Sequence, residues 1–146
     1  MTRMCAFVAA VGALLLPASA SADRVYHSEH LPLVSASGVQ HGFVQNIHPN
    51  GPQVYAHEIY TLRHAVPGTY QVSLNVFPTS LNCTVTESTF ALQTATLETN
   101  AVGNGRAEVK FAPEDVASLR GMTLSISWTV TGPATYVTGC TVVELD

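Results

Sequence analysis

Residues 124–130 read LSISWTV, with Leu124, Ile126, Trp128 and Val130 on one parity and Ser125, Ser127 and Thr129 on the other. On an extended backbone successive side chains point to opposite faces, so such a run buries one face and wets the other. The same period recurs where Tyr70, Val72, Leu74 and Val76 alternate with Gln71, Ser73 and Asn75. It recurs again where Ala107, Val109 and Phe111 alternate with Glu108 and Lys110. A helix cannot use a period of two, so these runs are expected to be half-buried strands. Composition agrees: residues 23–146 hold 16 Val and 15 Thr but only eight Lys and Glu together. Branched side chains crowd a helix turn and fit a pleated strand.

Turn signals divide the remainder. Pro49-Asn50-Gly51-Pro52 lies between extended runs at 42–48 and 53–62 and predicts a two-residue hairpin centred on Asn50-Gly51. Pro67-Gly68, Gly103-Asn104-Gly105 and Thr131-Gly132-Pro133 punctuate further. The spacing, near ten residues, gives eight or nine strands and an all-β, two-sheet sandwich. One short helical turn is expected near 113–120. Pro113 opens it, Glu114 and Asp115 occupy its first turn, Arg120 its last, and Gly121 follows where a helix-ending glycine belongs.

Met1–Ala22 reads as a leader: Arg3, an apolar run from Ala6 to Leu16, Pro17, and then Ala20-Ser21-Ala22 as a cleavage pattern. An apolar helix of that length covers about 16 Å, roughly half of a bilayer's hydrocarbon core, so a spanning anchor is not expected. The expected product is residues 23–146 as one domain, secreted or periplasmic, without a transmembrane anchor after cleavage. Within it, five basic residues oppose ten acidic ones, a formal charge of −5. Arg24, Arg63, Arg106, Lys110 and Arg120 are scattered along the chain, whereas a sequence-independent nucleic-acid interface needs a basic stripe. No nucleic-acid partner is expected.

Export leaves two cysteines, Cys83 and Cys140, and an even pair in an oxidising compartment reads most simply as one disulfide. Two free thiols or a shared metal are the alternatives. A bridge would close a loop worth roughly 4 kcal/mol of chain entropy.

The run 62–74, LRHAVPGTYQVSL, resembles the corner before the penultimate strand of fibronectin type III and similar Ig-like domains. There a Leu and a Pro-Gly-Thr precede a Tyr whose hydroxyl ties the corner to nearby backbone. The resemblance implies an Ig-like β-sandwich, with Pro67-Gly68-Thr69-Tyr70 as the corner, and implies no activity. Here the corner precedes most of the remaining strands, unlike the fibronectin order. Trp128 also stands near the second cysteine rather than the first.

All six histidines fall between residues 27 and 64: His27, His30, His41, His48, His57 and His64. Such clustering invites a copper or zinc reading. His27 and His30 have opposite parity and cannot share an ion from one strand. With the hairpin centred on Asn50-Gly51, Val44 lies opposite His57, and His48 and His57 share a face roughly 13 Å apart, too far for one ion. No metal ligands and no cofactor are therefore assigned. No G-x-S-x-G elbow, H-E-x-x-H motif or phosphate-cradling loop occurs, and no catalytic residues are assigned. Tyr55 lies near the same hairpin tip, which makes His48, Tyr55 and His57 the candidate binding residues. The expected function is an exported non-enzymatic module that binds a protein or small molecule or serves as structure. The alternatives are a histidine-dependent copper or zinc binder and a small secreted enzyme with an unrecognised site.

Overall fold

The computed structural model describes residues 26–49, 56–78, 83, 90–119 and 121–145. The expected leader, 1–22, and the expected hairpin turn at Asn50-Gly51 lie outside the described residues. Among the described residues nine strands form: β1 (Tyr26–Val34), β2 (Gln40–Pro49), β3 (Ala56–Leu62), β4 (Thr69–Pro78), β5 (Phe90–Glu98), β6 (Gly105–Phe111), β7 (Met122–Thr131), β8 (Thr135–Val137) and β9 (Thr141–Leu145). Every pairing is antiparallel.

The hydrogen-bonded order is β5-β4-β7-β8-β1-β2-β3-β6, with β9 beside the first half of β7. The two layers expected from the sequence thus belong to one continuous path. Its narrowest joint is the single pair Val34 and Val137 between β1 and β8. At the other extreme β5 and β6, the two ends of the path, lie beside one another at the 99–104 turn, so the sheet is nearly barrel-shaped.

The alternating runs place their apolar residues inward. Leu124, Ile126, Trp128 and Val130 are all buried, and Trp128, Tyr60, Tyr70 and Tyr136 are the largest side chains in the core. Between β2 and β3 the register differs from the hairpin expectation by three residues. Val44 pairs with Tyr60, and Ile47, not Val44, pairs with His57. An odd shift exchanges the two faces of a strand. In the register of a two-residue turn, His57 would share the buried face of Val44, and Tyr60 and Leu62 would face solvent. Both are fully buried, at 0% exposure, and exposing them would cost roughly 2 kcal/mol or more each. Turn substitutions move stability by only about 1 kcal/mol, so core burial decides the register.

The expected helical turn is present as α1 (Pro113–Val116), continued by a 3-10 turn at Ala117–Leu119. The Asp115 carboxylate accepts from the Ala112 N–H at 3.0 Å, and Gly121 has φ +73°. Cys83 and Cys140 form the disulfide, with Cα atoms 5.8 Å apart, inside the usual range for the bond.

The segment 66–70 is tied to itself and to β8 by two tyrosine hydroxyls. The Tyr70 hydroxyl donates to the Val66 carbonyl at 2.5 Å, four residues upstream. A second tyrosine completes it, because the Tyr136 hydroxyl accepts from the Val66 N–H at 3.2 Å. Behind the corner Gly103 takes φ +76°, and a Cβ there would collide with the backbone of Ala65, whose N–H donates to the Gly103 carbonyl at 3.1 Å. Only glycine fits that approach. We expect Tyr70→Phe to lose about 1 kcal/mol, one net hydrogen bond, read as a lower urea midpoint with an unchanged m-value. An unchanged midpoint would show that the hydroxyl does not hold the corner.

Candidate functional site

Strand β3 alternates so that Glu58, Tyr60 and Leu62 face the core while His57, Ile59 and Thr61 face outward. Burying Tyr60 and Leu62 therefore carries a carboxyl group inward with them. Glu58 is only 2% exposed. The Trp128 indole N–H donates to its Oε2 at 3.0 Å, and the Tyr60 hydroxyl donates to the same oxygen. The Tyr60 and Thr94 hydroxyls are 2.6 Å apart. One strand over, Asn46, also buried, pairs across the ladder with both Glu29 and Glu58, and its amide donates to Glu29 Oε2 at 3.2 Å.

Desolvation raises the Glu58 pKa above the ordinary carboxyl value, against the opposing pull of its Tyr60 and Trp128 hydrogen bonds. Burial, followed by the neighbouring Glu58 charge, raises the Tyr60 phenol as well. A perturbed carboxyl is a common mark of catalysis, but this one is enclosed and hydrogen-bonded within the core. It joins β3 to β7 through Trp128, and Tyr60 extends the link to Thr94 on β5. Its chemistry is that of a folding-linked proton.

Of the three candidate hairpin residues, only the side chain of His57 lies among those described. Tyr55 and the side chain of His48 lie outside the described residues. His57 lies on the outer face, its Nε2 3.6 Å from a carboxylate oxygen of Glu108. The observed register also corrects the expectation that His48 and His57 share a face, since the cross-strand partner of His57 is Ile47, the neighbour of His48. It instead makes His27 and His48 Cα partners across β1 and β2. Among the described residues there is no group of three or more His, Cys, Asp or Glu able to hold a metal ion.

A groove of about 420 Å³ opens instead where β3 ends and β6 begins, lined by Arg63, His64, Asn104, Gly105 and Arg106 among others. Its shape is held by backbone bonds. The His64 N–H donates to Asn104 Oδ1 at 3.1 Å, and the His64 carbonyl accepts from His41 Nδ1 at 3.0 Å. The Arg63 N–H donates to the His41 carbonyl at 2.6 Å. These bonds fix His64 at φ +50°, a left-handed conformation that side chains rarely adopt. Strain of this kind persists where surrounding structure over-determines it, and it clusters at ligand sites.

The Arg63 guanidinium lies 5.9 Å from the centre of the Phe43 ring, which in turn lies against His30 at 4.1 Å. Arg106 pairs across the ladder with Thr61, and its Nη2 is 3.6 Å from Glu108. Arg63 and Arg106, two of the five basic residues of 23–146, thus line one groove, while Lys110 stands four residues farther along β6. For these two, the scatter seen in the sequence is not scatter in space. No parity signal links Arg63 to Arg106, because a non-local ladder brings them together. The alternation of Arg106, Glu108 and Lys110 on the wet face of β6 was the only local hint. Comparison with known proteins finds no matching family, no similar curated protein and no similar solved structure.

Proposed function

We propose that this chain is an exported, non-enzymatic binding module of Ig-like kind, acting in the periplasm or outside the cell, whose ligand sits in the Arg63–Arg106 groove. The observation that carries the reading is the pinned, left-handed His64, held between two arginines in an open groove of about 420 Å³. Two guanidinium groups, an amide and an imidazole are recognition groups, set on the ends of two rigid strands. The Met1–Ala22 leader pattern and the disulfide support export, and the Tyr70 corner supports the Ig-like kinship.

The test is a thermal-shift screen of the purified protein against peptides, neutral and acidic saccharides, organic acids and divalent metals. A ligand at a hundred times its Kd stabilises the native state by about 2.7 kcal/mol, a rise on the order of 10 °C for a chain of this size. We expect at least one compound to raise the midpoint of the wild type and not that of the Arg63→Gln, Arg106→Gln double variant. Hits that act equally on both proteins, or that are consumed on incubation, would overturn the reading.

A further inference from the structure

We infer that the groove is a carboxylate site: it binds a small organic acid, free or as the uronate of an acidic saccharide, through the guanidinium groups of Arg63 and Arg106. The inference rests on the binding-module reading and adds the ligand's chemistry to it. Its volume, about 420 Å³, lies near the lower end of small-molecule pockets, roughly 300–1,000 Å³, and suits one or two sugar rings or a di-acid rather than a helix.

The donors point to an anion. The Arg63 guanidinium carbon lies 5.9 Å from the Phe43 ring centre, at the outer range of a cation–π contact, and among the described residues no carboxylate pairs with it, so its N–H fork can serve a planar, two-oxygen partner. The Asn104 side-chain oxygen is occupied by the His64 N–H, which turns the amide so that its NH2 remains as donor. Arg106 has a partner in Glu108, but both side chains are more than half exposed, at 63% and 52%. An exposed pair of this kind contributes about 0–1 kcal/mol, so a ligand carboxylate with two-point geometry displaces it at little cost. Glu108 also faces His57 at 3.6 Å and keeps that neighbour when Arg106 turns to the ligand. The backbone bonds that fix Arg63 and His64 mean that little chain entropy is lost on binding.

The experiment is isothermal titration of the full chain at constant ionic strength with succinate, digalacturonate, cellobiose and sodium sulfate. Wild type is compared with Arg63→Gln, Arg106→Gln and, as a charge control on the same strand, Lys110→Gln. We expect succinate or digalacturonate to bind, the difference between them identifying a free acid or a uronate. Either groove variant should weaken that binding at least tenfold, and Lys110→Gln less than twofold. Far-UV circular dichroism and the urea midpoint of each variant establish that it folds. Equal weakening by Lys110→Gln, or sulfate binding as tight as carboxylate, would reduce the effect to general charge attraction and overturn the site. Cellobiose binding that depends on Arg63 and Arg106 would overturn the carboxylate assignment and leave the binding module standing. If no probe binds in a manner that depends on the two arginines, the carboxylate site is overturned, and the broader screen alone then decides the module.

Discussion

Serine at both Cys83 and Cys140 lowers stability by about 4 kcal/mol, on the order of 15 °C in Tm. The bridge spans a sequence separation of 57 and ties the segment before β5 to the start of β9. Reduction frees the unfolded chain to explore conformations the crosslink forbids, and this is the source of the loss in the chain-entropy account. Differential scanning calorimetry of the oxidised wild type and the double serine variant measures it. A loss under 1 kcal/mol would show that residual structure in the unfolded state already restrains the loop. Net stabilities of 5–15 kcal/mol are usual, so the bridge is a large share of the whole.

Glu58→Ala costs a similar amount for a different reason. It leaves the Trp128 indole N–H and the Tyr60 hydroxyl without their shared acceptor inside the core. At about 1–3 kcal/mol for the buried, unsatisfied indole N–H, with the Tyr60 hydroxyl still able to reach Thr94, and about 1 kcal/mol for the lost methylene and its cavity, the loss is roughly 3 kcal/mol. Glu58→Gln retains an acceptor oxygen and separates the charge from the hydrogen bonds. Because burial raises the folded carboxyl above the ordinary value of 4.5, the folded protein holds this proton more tightly than the unfolded chain. The contribution is fully present below that ordinary value and is lost as pH rises through the folded one. The wild type's stability relative to Glu58→Gln should therefore be greatest at low pH and decline as pH rises. Urea unfolding of both proteins across the pH range reads this directly. A difference that grows with pH would mean that the carboxylate is held ionised in the core, contrary to its desolvation.

The legible part of this molecule is what side-chain parity and local turn chemistry encode. Leu124, Ile126, Trp128 and Val130 lie on the buried face that their alternation assigns them. Pro113, Asp115 and Gly121 open, cap and follow a short helical turn, and Cys83 joins Cys140. Glu58 was half legible. Its phase with Tyr60 and Leu62 is present in the sequence, but a charge in that phase draws attention only once the strand is known to be buried. The histidine cluster drew attention because it is compact in sequence, yet the β2–β3 register sets His57 opposite Ile47, and the β1–β2 register sets His27 opposite His48. The groove was hidden for the opposite reason. Arg63 and Arg106 are far apart along the chain, and only the β3–β6 ladder makes them neighbours.

The amino-acid pattern by itself determined that the chain forms antiparallel strands and which face of several of them is buried, and it pointed to Cys83 and Cys140 as a pair. Each of these depends on a period of two along one backbone or on simple arithmetic. Tertiary structure alone decided the β2–β3 register, the inward turn of Glu58, the near-closure of the sheet and the assembly of a cationic groove. Those outcomes depend on which distant strands share a ladder. Competing registers differ in how much of Tyr60 and Leu62 they bury, and that is a property of the packed whole.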